Sequence, residues 1–489
     1  MTILPPLTLI QPETVDLILS EAYELLKKTG IKVGSKDALE LLADSGASID
    51  QDRKIARIPE FLVQKSLESV PKLFWLHDSF GQPNVCYGES KVHFDPGSSG
   101  VHILDSDTGE HRVAVTNDLL TLIQIAEVLP QYDAQSTAVV CQDVPESIGD
   151  LYRLYLVLLF SKKPIVTGAF SAKTIHTMFE MLAIVNGDHQ ELDNKPRTIF
   201  DVCPSPPLNW TEFAARNLID LARARIPAQI VSMPLAGATA PVTLLGSIVQ
   251  HAAECLSGIT IHQLANPGSP IVWGGAPAIF DMRTGTTPSG AIETALLIIG
   301  YAQIGRALGL PTHAYLGSSD SKCLDAQAGA ESALGILLGA LGGINMISGA
   351  GMLDFLACLS PEKLVLDAEW IGMARRLLEG LQIRTLPLAL DMFVDPDFRF
   401  DFLKQRITRQ VFSKEQYLPS NAIDRNSLRI WEATDHPNAN DRARALKNEI
   451  VKQYHRPPIS SEIEKELVDF VTQNARSAGM DALPHLPLH

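Results

Sequence analysis

At 489 residues, with 46% apolar and 20% charged residues, the chain has the make-up of a globular protein too long for one ordinary domain. Its formal net charge of −15 argues against nucleic acid and anionic membrane as partners, since both select for basic faces. No run of about eighteen apolar residues passes without polar interruption, so no membrane span is expected, and six scattered cysteines with no CxxC pair suit reduced thiols in a cytoplasmic protein.

The first residues, MTILPPLTLI, lack the basic region and small-residue cleavage site of a signal peptide. Val15, Ile18, Leu19, Ala22, Leu25 and Leu26 recur at helical spacing, and Gly30 supplies a stop. From 73 to 95 the pattern turns to short strands broken by Gly81-Gln82-Pro83 and Gly88. Residues 1–91 therefore read as an N-terminal helical and hairpin cap. Eight strand-like segments follow, at 92–95, 134–142, 164–170, 197–204, 227–233, 270–274, 311–317 and 343–349. Each is answered by a helical pattern, at 117–129, 148–161, 172–186, 210–225, 241–265, 289–308, 324–341 and 361–381. Several strands are continuous apolar runs, as in parallel strands covered on both faces. Eight such alternations over 92–381 are the count of a closed (β/α)8 TIM barrel in the α/β class. A doubly wound open sheet is the alternative, but no GxGxxG follows the first strand. Residues 382–489 lose the alternation and read as a C-terminal helical extension.

The stretch 311–352 condenses the pattern: a strand, a polar loop, a helix of small residues with the stripe Leu334, Leu337, Leu338 and Leu341, and a second strand. In a barrel the C-terminal strand ends face the active site. Here they carry Asp95, Gln142, Phe170, Ser205, Met233, Trp273, Tyr315 and Ser348. A glycosidase pair of glutamates, a GxSxG elbow and an HExxH motif are all missing. Aromatic rings suit a quaternary ammonium ion, which offers no hydrogen-bond donor and is held by ring faces worth roughly 0.5–2 kcal/mol each. Phe170, Trp210, Trp273, Tyr315 and Phe355 are the candidates, with plain packing the alternative for each: Trp210 as a staple of its helix, Trp273 as barrel filling. Arg283 can clamp a carboxylate or pair with Asp281, and His313 is a polar anchor or a satisfied core residue. Cys141, Cys203 and His313 have no spacing that demands zinc, so no tightly bound metal is expected. The Ser- and Gly-rich loops after the seventh and eighth strands can bind an anion through backbone N–H groups or merely turn tightly at Gly349 and Gly351.

The runs His93-Phe94-Asp95-Pro96-Gly97-Ser98, Met233-Pro234-Leu235-Ala236-Gly237-Ala238-Thr239, Asp281-Met282-Arg283-Thr284-Gly285, Asp325-Ala326-Gln327-Ala328-Gly329 and Gly349-Ala350-Gly351-Met352 resemble the trimethylamine methyltransferase superfamily. Ordinary residues at 315–319 place the resemblance in the branch that lacks pyrrolysine. It implies a cytoplasmic, homo-oligomeric TIM-barrel enzyme of one-carbon metabolism. Such an enzyme moves a methyl group from a quaternary amine such as glycine betaine, proline betaine or carnitine to Co(I) of a corrinoid protein. The cobalamin-type cofactor thus arrives on a partner. A quaternary amine leaves as a neutral tertiary amine, so orientation and exclusion of water replace acid catalysis. On this resemblance Trp273, Tyr315 and Phe355 hold the cation, and Arg283 or His313 anchors the other end. Gly317, Ser318, Asp320, Ser348 and Gly349 face the corrin ring. The rivals are another barrel enzyme acting on a small polar metabolite without corrinoid, and a non-catalytic betaine-binding protein.

Overall fold

The computed structural model describes residues 4–187, 194–395 and 397–486. Its centre is a barrel of eight parallel strands: β1 (His93–Pro96), β2 (Gln135–Ser136), β3 (Ile165–Thr167), β4 (Thr198–Val202), β5 (Ala228–Ile230), β6 (Ile271–Gly275), β7 (Thr312–Tyr315) and β8 (Met346–Ala350). The ladder runs β1-β8-β7-β6-β5-β4-β3-β2. It closes where Asp133 N donates to Phe94 O at 2.8 Å and Val140 N to Gly100 O at 2.8 Å. The expected (β/α)8 class is therefore the observed one. The strands are shorter than the apolar runs that announce them. After Ser136 the β2 chain stays extended but leaves the ladder to bridge Gly100 on the rim.

The sheath is α1 (Thr116–Val128), α2 (Gly149–Phe160), α3 (Ala172–Asn186), α4 (Glu212–Arg223), α5 (Leu244–Ala265), α6 (Ile292–Ala307), α7 (Ala326–Leu341) and α8 (Pro361–Leu378). Side-chain caps fix several starts: Ser171, Thr211, Asp325 and Ser360 each accept a backbone N–H of the first turn. α5 is long and apolar enough to cross a membrane by length and composition. It is instead buried between the barrel, α4, α6 and the helices Pro12–Lys28 and Glu60–Ser69. Gly258 on α5 is obligatory, because a Cβ there would meet the Trp210 ring at 2.4 Å.

The N-terminal segment does not cover the mouth. Its hairpin, Phe74–His77 paired with Pro83–Tyr87, plugs the opposite end of the barrel. Phe74, Leu76, Val85 and Tyr87 pack there against Ala134, Val166, Ile199, Val272 and Met346. Past α8 the helices Ala439–Gln453 and Ser461–Ser477 lie against α8, α1, α2 and α3. In the chain between α8 and those helices, residues 381–395 and 397–418 form an arm whose large apolar side chains stand out: Leu381, Leu386 and Phe398 are each more than four-fifths exposed.

Candidate active site

Alternation along β4 turns Ile199 into the plug and Asp201, two residues on, into the bowl above it. Asp201 Oδ2 accepts the Tyr315 hydroxyl of β7 at 3.0 Å, and Oδ1 accepts Nε2 of Gln229 of β5 at 2.5 Å. Tyr315 Oη also lies 3.0 Å from Ser98 Oγ after β1, and Gln229 Oε1 accepts the Tyr87 hydroxyl of the plug at 3.2 Å. Side chains of β5 and β7 thus converge on a carboxylate of β4 and are themselves held from β1 and the plug. Burial, opposed by the hydrogen bonds from Gln229 and Tyr315, leaves Asp201 raised to about 6. No ion pair to Asp201 is found among the described residues. Burial and the nearby Asp201 charge raise Tyr315 well above its ordinary value, so its hydroxyl stays neutral.

A second polar chain lies beside it in the barrel wall. His313 Nε2 is 3.1 Å from Ser348 Oγ, which donates to Asp95 Oδ1 at 2.5 Å. All three are buried, and burial lowers His313 to about 3 while raising Asp95 well above the carboxylate range. This chain joins β7, β8 and β1 and carries no mobile charge.

Small residues leave the bowl open. Gly168 faces Asp201, where a Cβ would lie 3.6 Å from the Asp201 Cβ. Gly274 admits His313, since a Cβ would come within 3.0 Å of Nδ1. Cys203, two residues beyond Asp201, opens to the bowl, but the surrounding protein pushes its thiol up to about 12, so it offers no thiolate. Arg153 of α2 reaches the rim, donating Nη1 to Thr137 O at 2.8 Å and to Ser99 Oγ at 3.3 Å. The Phe170 ring covers its guanidinium at 4.4 Å. Exposed apolar side chains ring the mouth: Val101 after β1, Phe170 after β3, Met233 and Val242 after β5, and Met282 after β6.

Of the aromatic residues singled out in the sequence, Tyr315 and Phe170 reach the bowl, and two tryptophans do not. Trp273 is buried in the sheath, donating Nε1 to Tyr301 O at 2.9 Å with its ring edge toward His251. It points outward because its neighbours on β6, Val272 and Gly274, face in. Trp210 is likewise buried, donating Nε1 to Ser257 Oγ of α5 at 2.9 Å. Phe355 is capped by Lys322, whose Nζ lies 3.9 Å from the ring centroid. Arg283 projects into solvent from a loop tip and pairs with Asp281 at 2.7 Å. His313 is a buried support within the wall.

The five residues expected to face a corrin ring are buried and occupied in joining loops. Gly317 O accepts Lys363 Nζ at 3.0 Å, and Ser318 Oγ donates to Ser289 Oγ at 3.2 Å. Asp320 accepts Ser289 N at 2.7 Å and Gly290 N at 3.1 Å. Ser348 belongs to the wall chain, and Gly349 approaches Leu316 so closely that a Cβ would meet its carbonyl oxygen at 2.5 Å. Asp201 and Arg153 escaped the sequence reading. Each had a signal: one acid inside the apolar strand Ile199-Phe200-Asp201-Val202, and one arginine inside the apolar helix Leu151–Leu159.

No group of three His, Cys, Asp or Glu side chains able to hold a metal ion is found among the described residues. A closed barrel plugged at one end, with an acid, a phenol and small residues at the C-terminal ends of its strands, defines a TIM-barrel enzyme. The family profile described as Trimethylamine methyltransferase (MTTB) matches residues 1–479, and the chain belongs to that family of methyltransferases. It is 28% identical to trimethylamine methyltransferase MttB of Desulfitobacterium hafniense over 96% of this chain and 94% of that one. It is 29% identical to trimethylamine methyltransferase MttB of Methanosarcina thermophila, over 94% of this chain and 96% of the relative. To a glycine betaine methyltransferase of Desulfitobacterium hafniense it is 29% identical, over 98% of this chain and 99% of that protein.

Proposed function

We propose that the protein takes a methyl group from a quaternary, betaine-type amine seated over Asp201 and Tyr315 and passes it to a corrinoid carried by a partner protein. The observation that supports this most directly is a carboxylate at the bowl floor with no cation paired to it among the described residues. An onium ion brings charge without donors, and Asp201 has already filled part of its accepting capacity with Tyr315 and Gln229. The Tyr315 and Phe170 rings add faces for the methyl groups, each worth roughly 0.5–2 kcal/mol. A quaternary amine leaves as a neutral tertiary amine without help, whereas a tertiary amine leaves as a neutral amine only when it arrives protonated.

The corrinoid, when presented, supplies the cobalt that accepts the methyl group. The open, small-residue bowl and the apolar ring of Val101, Phe170, Met233, Val242 and Met282 fit such a visitor, with the ring as its docking surface. The chain's own tasks are to fix the ammonium group, aim one methyl group out of the mouth and keep water away once the ring is covered. The reading places the protein in the cytoplasm as a homo-oligomer, with the exposed arm at 381–418 as the surface a second copy covers.

The test is to mix the protein with chemically reduced cobalamin and a panel of quaternary amines, following loss of Co(I) absorbance. Loss with at least one amine is expected. An unchanged spectrum with all of them removes the proposal.

A further inference from the structure

We infer that a basin on the outer wall of the barrel, between α7, α8 and the helix Ala439–Gln453, receives residues 402–414 from the arm of a second copy. This rests on the homo-oligomer reading above and names the surface that covers the arm. The basin holds about 630 Å³. Ala328 and Gly329 of α7, Leu366 and Trp370 of α8, and Ile423 and Ala439 opposite give it apolar walls. A Cβ at Gly329 would meet nothing within 4 Å, so the space begins at the α7 backbone itself. The rim is acidic. Asp325 accepts Ala328 N at 2.9 Å and Asp424 accepts Asn426 N at 2.8 Å, and neither carboxylate has an ion partner among the described residues. The cations at the basin are already engaged: Lys363 with Asp367 at 2.7 Å, and Arg442 with Ala422 O at 3.1 Å and Pro437 O at 2.7 Å.

The segment 402–414 has the opposite make-up. It carries Lys404, Arg406, Arg409 and Lys414 and no acid, in a chain of net charge −15. Lys404 pairs with Asp401 at 2.8 Å, and the other three have no ion partner among the described residues. Leu403 is 84% exposed and Phe412 45%, and the helix Arg406–Glu415 has no buried residue. In its own chain this helix stays away from the basin. Arg376 and Arg384 tie its last residue, Glu415, to the C-terminal end of α8, and Arg376 stands roughly 15 Å along α8 from Leu366. Apolar side chains flanked by cations therefore meet an apolar hollow rimmed by carboxylates only between copies, where two uniformly acidic surfaces would repel. The contact joins two different patches, so each copy gives an arm and takes one, head to tail.

The experiment is sedimentation velocity of the full-length protein. The wild type is expected to sediment as an oligomer. Gly329→Phe, which fills the basin, and Leu403→Ser with Phe412→Ser, which strips the arm, should each sediment as single chains. An equimolar mixture of the two variants should form a heterodimer, because one keeps the arm and the other keeps the basin. Asp424→Lys should weaken association at least tenfold by reversing charge at the rim. A folded Gly329→Phe protein that remains an oligomer overturns the inference and leaves the homo-oligomer reading standing, and so does a mixture that stays as single chains. Where Gly329→Phe fails to fold, undiminished association of Asp424→Lys overturns it in the same way. A wild type that sediments as single chains removes both.

Discussion

The bowl and the arm are opposite solutions to the placement of side chains. In the bowl, charged and polar groups are sunk into a barrel and nearly every one is spoken for by a residue from another strand. In the arm, Leu381, Ile383, Leu386, Leu388, Phe398 and Leu403 stand in solvent while Arg384 and Arg376 tie the segment down through Glu415. Its phenylalanines Phe393, Phe398, Phe400 and Phe402 touch mostly one another. So many exposed large apolar side chains in one segment are the mark of a surface suited to being covered. An interior of paired polar groups thus suits the proposed small charged ligand, and an exposed apolar exterior suits the proposed second copy.

That contrast can be broken by experiment. The largest expected effect falls inside, at Lys363. Its Nζ is buried 2.7 Å from Asp367 and also donates to Gly317 O, so Lys363→Met strands a buried carboxylate. Loss of about 3–5 kcal/mol is expected in urea unfolding. Next is Asp201→Asn, which keeps the shape and removes the charge. A loss of about tenfold to a hundredfold in onium affinity, equivalent to about 1.4–2.8 kcal/mol, is expected with no drop in unfolding midpoint. The same group sets a pH profile. Because burial raises Asp201 to about 6, its carboxylate is present above that pH and lost as pH falls through it. Choline, whose charge does not titrate, should bind about tenfold more weakly at pH 5 than at pH 7.5. The smallest effect on stability belongs to the arm. Leu386→Ser with Phe398→Ser should change unfolding of dilute protein by no more than ~0.5 kcal/mol, yet convert the proposed oligomer to single chains in sedimentation.

Periodicity made the barrel legible because burial on two faces leaves continuous apolar strands and one-faced helices, a pattern local to each segment. The same property hid the direction of individual side chains. Trp273 and Asp201 each sit near a strand end, and only the alternation within β6 and β4 sends one into the sheath and the other into the bowl. A shift of one residue exchanges those fates, and the apolar runs extend beyond the ladders they form. Rings drew attention as cation binders, although Trp210 and Trp273 each have an N–H that finds a partner in the packing between barrel and helices. The plug was legible as a hairpin, but its destination was not, because its contacts with Ile199, Val272 and Met346 span long separations in sequence.

The hairpin stopper built from Phe74, Leu76, Val85 and Tyr87 has a kinetic consequence. With the far end corked, the proposed amine would enter and its demethylated product depart through the same mouth on which the proposed corrinoid partner would land as a visitor. Traffic then becomes a queue: the amine first, the visitor second, the visitor away, and the product out last. Raising the visitor's concentration past saturation should slow turnover, by landing on doorways still waiting to be vacated or filled.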